Sequence, residues 1–110
     1  MKVTSIQRLA TEEEIAQLAD MFRLMGDASR LSIIVTCLKE PISVGEIASR
    51  LGLSPSLVSH HLRLLRAARV LKSERRGKQM FYSACDDHIE CVIKDMMAHV
   101  GEPFDLEDTD

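Results

Sequence analysis

Between Ser43 and Ala68 the chain reads as a short helix, a glycine turn and a longer helix, and few folds accommodate that unit. Ser43-Val44-Gly45-Glu46 has the form of a capping box, with a serine at the N-cap and a glutamate three residues on. Ile47, Ala48 and Leu51 supply an apolar stripe, and Gly52 ends the helix. Ser54-Pro55 starts a second helix with an N-cap serine and proline at the first helical position. The expected helix covers residues 54–68. Two helices joined by so tight a turn form a helix-turn-helix.

The flanking segments are helical before this unit and mixed after it. Thr11-Glu12-Glu13-Glu14 reads as a capping box, followed by Ile15, Leu18, Ala19, Phe22 and Met25 at helical spacing. Gly26 stops that helix and Asp27 caps the next, with Leu31, Ile34, Val35 and Leu38 as its apolar stripe and Pro41 as its breaker. Val70–Arg75 and Gln79–Ser83 suit two strands turned by Arg76-Gly77-Lys78, a hairpin or wing within residues 70–83. Asp86 or Asp87 caps a last helix over residues 87–101, and residues 103–110 form an acidic, frayed tail. The fold class expected is mostly α with a small β-hairpin, in the order α-α-α-α-β-β-α, as one domain over residues 1–110.

Charge is segregated along the chain. Arg50 to Lys78 holds eight Lys/Arg against one acid, Glu74, for a net +7, whereas Asp86 to Asp110 holds nine acids against Lys94 alone, for a net −8. A basic stretch inside a chain of net charge −3 is an electrostatic footprint for a polyanion. No apolar run reaches the roughly 18 residues of a membrane span, and Met1 to Ala10 carries no signal core. With three cysteines and no Cys-x-x-Cys pair, a cytoplasmic protein without a disulfide framework is expected. There is no nucleophile–base–orienter grouping and no phosphate loop, so no enzyme and no small-molecule substrate are expected.

On a helix over 54–68, Leu57, Val58, His61, Leu62 and Leu65 fall on or near one face. Ser56, Ser59, His60 and Arg63 share the opposite one. Hydroxyls, an imidazole and a guanidinium suit base edges and phosphates in a major groove. Ser54 and Arg66 extend that surface, and Arg75, Arg76 and Lys78 cluster at the hairpin tip, where a wing meets the DNA backbone or minor groove. Tyr82 and Phe81 read as hairpin packing, and His61 as a half-buried packing residue. The plain alternative is a solvated basic helix.

Near the C-terminus stand two pairs of potential metal ligands, Asp86 with His88 and His99 with Glu102. The two histidines are eleven residues apart, which on a helix brings them within about 20° of one face but separates them by about 16 Å. Donors bind zinc at about 2 Å, so a single ion cannot reach both pairs of one chain. Two antiparallel helices from two subunits would bring them together. The same residues also make an ordinary solvated face.

The chain resembles the ArsR/SmtB family of bacterial metal-responsive winged-helix repressors. The resemblance rests on Leu24-Met25-Gly26-Asp27-Ala28-Ser29-Arg30-Leu31, on Ser54-Pro55-Ser56-Leu57-Val58-Ser59-His60-His61-Leu62, and on Gly77-Lys78-Gln79-Met80-Phe81-Tyr82. It implies a homodimer with the first and last helices at the interface, a palindromic DNA operator as partner, and release of that operator on metal binding. Family sensors of arsenic, cadmium and lead carry Cys-Val-Cys at the start of the third helix. Here those positions are Ser43, Val44 and Gly45, so that thiolate site is missing. The family's zinc sensors use the last helix, and Asp86, His88, His99 and Glu102 match their pattern at every interval. Such a donor set suits Zn(II) as regulatory ligand, with Co(II) as mimic. Pro103 pushes Glu102 beyond the helix end, and Cys85 and Cys91 flank the first pair. The resemblance also implies a bond from His99 toward the backbone near Arg69. The competing function is a metal-independent repressor that senses thiol oxidation through Cys37, Cys85 or Cys91.

Overall fold

The computed structural model describes residues 9–103, and the expected frayed tail from Phe104 onward lies outside them. The elements run α1 (Glu12–Met25), α2 (Ala28–Thr36), β1 (Ile42–Ser43), α3 (Val44–Leu51), α4 (Pro55–Ala67), β2 (Leu71–Arg76), β3 (Gln79–Ala84) and α5 (Asp87–Gly101).

Local side-chain chemistry starts each helix. Thr11 and Glu14 form a reciprocal box, with Thr11 N–H donating to Glu14 Oε1 at 2.8 Å and Glu14 N–H to Thr11 Oγ1 at 3.0 Å. Asp27, Ser54 and Asp86 accept from the backbone N–H three residues ahead at 3.0, 3.2 and 3.1 Å. Such a cap contributes about 1 kcal/mol. The expected box at Ser43 is half formed. Ser43 Oγ accepts from Glu46 N–H at 3.3 Å, but the Glu46 carboxylate turns to Arg50 at 3.6 Å. α2 also ends earlier than expected, at Thr36 with Cys37 as C-cap, so Pro41 is not what breaks it.

The core is where α2, α3, α4 and the root of the wing meet. Ile33, Ile34, Cys37, Ile47, Val58, Leu62, Leu65, Val70 and Leu71 are all fully buried there. The expected faces need two corrections. Leu57 is 39% exposed rather than inward, and on α2 Ile33 and Cys37 take core places while Leu31 stays exposed. α1 and α5 reach this core only through one buried residue each, Met25 and Ile93, with Met21, Leu24 and Ile89 packed against it half-buried.

The sheet has three antiparallel strands in the order β1-β3-β2. β1 was not expected: it pairs Ile42 with Tyr82 and Ser43 with Phe81, joining the wing to the start of α3. β2 and β3 pair from Leu71–Ala84 out to Arg76–Gln79, leaving Gly77-Lys78 as a two-residue loop. Gly77 has φ +63° and Lys78 does not share a positive φ, which fits a hairpin turn with glycine at its first central position.

Candidate nucleic-acid interface and metal half-sites

α4 presents its polar face outward. Ser54, Ser56, His60, Arg63 and Arg66 are exposed and Ser59 is half-buried. The Ser54 hydroxyl is engaged, since its oxygen caps α4 and lies 3.4 Å from Ser56 Oγ. His61 faces the core and is only 7% exposed, more deeply buried than expected, and its Nδ1 has no hydrogen-bond partner. Burial, and then the nearby Arg30 guanidinium, push its imidazole below the ordinary histidine value, against a weaker opposing pull from Asp27.

The hairpin divides its charges by face. Residues alternate sides along a strand, so Glu74 and Arg76 share one face of β2, whereas Ser73 and Arg75 share the other. Arg76 is bonded to Glu74 at 2.8 Å and lies 5.0 Å from the Phe81 ring centroid, so that cation is already held within the wing. Arg75 and Lys78 are exposed and carry no ion pair among the described residues. Between α4 and the wing lies an open cleft of about 570 Å³, lined by Val44, Ser59, Arg63, Arg66, Ala67, Met80 and Tyr82. Tyr82, read from sequence as hairpin packing, thus also borders the basic surface. Its register opposite Ile42 and Ser73 puts it there, and only the pairing of β1 with β3 reveals that.

The two metal-ligand pairs sit at the two ends of α5. Asp86 is the N-cap: its Oδ1 accepts from Ile89 N–H, which leaves Oδ2 3.5 Å from His88 Nδ1. That gap is close to the about 3.3 Å between two donors of a tetrahedral zinc ion with bonds near 2.05 Å. The Ile89 N–H, and more weakly His88, hold the Asp86 carboxyl below the usual carboxylate range. His88 is fully open to solvent, and His99 is exposed as well. Glu102 lies just past the helix with extended backbone (φ −70°, ψ 144°), its N–H donating to His99 O at 3.2 Å. Among the described residues no three His, Cys, Asp or Glu side chains converge as a metal site.

A short backbone path joins the first pair to α4. Cys85 N–H donates to Val70 O at 3.0 Å, and Val70 N–H donates to Leu65 O at 2.9 Å. Arg69, at φ +61°, makes the turn between Ala68 and Val70. It also borders a recess of about 230 Å³ shared with Met21, Cys85, Asp86, His88 and Ile89. Among the described residues no hydrogen bond runs from His99 to Arg69; Arg69 neighbours the other end of α5.

The cysteines differ sharply. Cys37 is fully buried, and desolvation pushes its thiol up to about 12. Cys85 is half-buried and Cys91 exposed.

Residues 27–73 match the family model described as bacterial regulatory protein, arsR family. The "Transcriptional repressor SmtB homolog" of Synechocystis is 31% identical over 82% of this chain and 68% of its own length. For several further relatives the match spans 62–65% of their length. Among solved structures, HlyU from Vibrio cholerae superposes with a TM-score of 0.77 at 27% identity, covering 84% of this chain and 100% of that one. A homodimeric winged helix-turn-helix DNA-binding domain from Mycobacterium bovis gives 0.79 at 16% identity, over 88% and 90% of the two chains, a likeness of fold.

Proposed function

Because this chain belongs to the ArsR/SmtB family of winged-helix transcriptional regulators, we propose that it represses transcription as a homodimer on a palindromic operator and leaves the DNA when zinc joins its last helices. The observation that carries the reading is the make-up of α5. A half-site of two donors stands at each end of one unbroken helix, and the exposed surface between them carries Val92 and Met96 beside one acid, Asp95. On a helical wheel His88, Val92, Met96 and His99 fall within about 80°. Val92 and Met96 are 43% and 55% exposed, and Ile15, Leu18 and Phe22 on α1 are similarly open. Large apolar side chains left open along a helix face in this way mark an interaction surface. An antiparallel pair of α5 helices would cover it and set each Asp86–His88 end against a His99–Glu102 end. The M. bovis domain of the same fold is itself described as homodimeric.

Asp86 through Oδ2, His88, His99 and Glu102 would hold the ion, which supplies a cationic cross-link between the two chains and no open coordination position for catalysis. The protein's own part is mechanical. Asp86 follows Cys85, whose N–H is bonded to Val70, and Val70 is bonded back to the end of α4. A shift of the Asp86 end is therefore passed to the recognition helix through two backbone hydrogen bonds. Donors that meet well only in the DNA-free dimer would weaken operator binding, and by linkage DNA would weaken metal binding by the same factor.

The test is fluorescence anisotropy of the chain on its own promoter DNA, titrated with Zn(II), beside a His88→Gln/His99→Gln double variant. Zinc-driven release in the wild type alone supports the reading. Release in both the double variant and the wild type, or in neither, refutes the α5 site while leaving the winged helix a DNA binder. Metal affinity should fall at low pH, since only neutral imidazole ligates.

The thiol-oxidation alternative loses one of its three candidates here. A buried, protonated Cys37 is a poor nucleophile, so Cys85 and Cys91 are the thiols left to it.

A further inference from the structure

α4 buries one polar side chain. Its inner row is Val58, His61, Leu62 and Leu65, and His61 is the sole buried polar residue among the described ones. Its ring centroid lies 5.9 Å from that of His60, which is exposed. Its Nδ1 is closed to solvent and has no hydrogen-bond partner. In a row of aliphatic side chains an imidazole adds one property that leucine lacks, a proton site that changes charge near neutral pH.

The surroundings of that site are built against a proton. The charged groups that act on His61 are Arg30 and Asp27, from α2 and its cap, and His60 from α4 itself. α3 and β2 also pack on α4, but their charged groups are exposed: Glu46 and Arg50 on α3, and Lys72, Glu74, Arg75 and Arg76 on β2. Arg30 is tied down, since its Nε donates to Leu24 O at 2.7 Å. Asp27 is the one acid acting on the ring, and its Oδ2 already accepts from Arg30 N–H as the cap of α2. An imidazolium here therefore meets a fixed like charge and an acid engaged elsewhere. It either stays buried without an acceptor or draws Asp27 off the cap, and both outcomes disturb the seating of α4 on α2.

We propose that His61 is a proton-operated latch on the recognition helix. Neutral, it holds α4 on the α1–α2 corner in the pose that presents Ser56, Ser59, His60 and Arg63 together; protonated, it releases that pose and lowers affinity for DNA. This inference rests on the DNA-binding reading above. The ring and the groove-facing side chains are on opposite faces of one helix, so a shift at residue 61 moves all of them at once. DNA then selects the deprotonated form, and in acid affinity falls by on the order of tenfold per pH unit for each chain. His60 works in the opposite sense, because its protonation adds a cation to the outer face and strengthens binding to a polyanion.

The experiment uses the full chain in a His60→Gln background with a chelator present, so that neither His60 nor bound metal contributes. Anisotropy on the promoter duplex is followed from about pH 7.5 to about pH 5, where imidazole titrates. Affinity should fall in acid while His61 is present and stay level once His61→Leu or His61→Gln is added. Arg30→Gln removes the like charge beside the ring and should start the fall at higher pH, a shift that a merely space-filling His61 would not show. Amide hydrogen exchange reads the latch without DNA: amides from Val58 to Leu65 should lose protection in acid before those of α3, and not in His61→Leu. Thermal melts at neutral pH verify the fold; if His61→Leu melts early, His61→Gln and the Arg30→Gln shift decide. Equal pH curves with and without His61, or α4 amides that keep their protection in acid, overturn the latch. A chain that binds the promoter at no pH sinks the DNA-binding reading, while the exchange measurement still decides whether His61 releases α4.

Discussion

His61 occupies a core position on α4 with one ring nitrogen unpartnered, and the protein tolerates it as a neutral imidazole. Burial and Arg30 lower its folded-state proton affinity, so the unfolded chain binds the proton more readily. Its contribution is complete above the unfolded value of about 6.5 and is lost as pH falls from there through the lower folded value. Urea midpoints of wild type and His61→Leu should therefore diverge between pH 7 and pH 5, with the wild type losing ground; parallel curves would contradict this. Arg69 carries a different strain. It holds the left-handed position after α4 that glycine ordinarily fills, while Arg69 N–H bonds Arg66 O and Val70 N–H bonds Leu65 O. Arg69→Gly should raise stability by about 0.5–1 kcal/mol in denaturant titration, since the left-handed cost for a side chain is removed. Cys37 should stay silent toward a thiol reagent in the native state while Cys85 and Cys91 react, and all three should react once urea unfolds the chain. Native labelling of Cys37 at the rate of Cys91 would show that its burial is breached by motion.

At the scale of elements, helix starts were legible because their chemistry is local. Thr11, Asp27, Ser43, Ser54 and Asp86 each bond a backbone N–H three residues on, and all five stood out in the sequence. Ser54→Ala should cost about 1 kcal/mol and weaken DNA binding in step, because the same cap orients the first turn of the recognition helix. The wing was legible from Gly77 and the β-favouring runs beside it. Gly77→Ala should cost about 1 kcal/mol, read by thermal melting, because φ +63° is strained for any residue with a Cβ. What escaped notice was β1. Two residues carry no periodicity, and Ile42 and Ser43 become a strand only because β3 lies beside them. The Glu46 side chain went to Arg50 for a similar reason: a helix-surface partner competed with the box.

For the whole molecule, the apolar residues of α1 and α5 matter most. Periodicity marked Ile15, Leu18 and Phe22 as a core face, yet in the chain alone they are about half exposed. A helical repeat says that a face seeks burial; it does not say whether its own chain or a second copy provides it. The same holds for a groove of about 420 Å³ lined by Leu31, Val35, Ile93, Met96, Met97, Val100 and Gly101. Phe22→Glu and Met96→Glu should each convert the proposed dimer to a folded monomer in analytical ultracentrifugation, with operator affinity falling together with dimer content. A dimer that survives both changes would place the interface elsewhere.

The division between the two sources of information follows the range of the forces. Helix limits, the helix-turn-helix, the charge segregation and the eleven-residue spacing on α5 depend on residues within a turn or two of each other, and composition and spacing expose them. Which side chains share a surface depends on contacts between distant segments. The placing of Tyr82 and Met80 opposite Arg63 and Arg66, the burial of His61, the turning of Arg76 onto Phe81 and the backbone link from Cys85 through Val70 to α4 came only with the tertiary structure. Side-chain alternation on a strand and its register against a neighbour are set by pairing across the chain, and no local pattern encodes them.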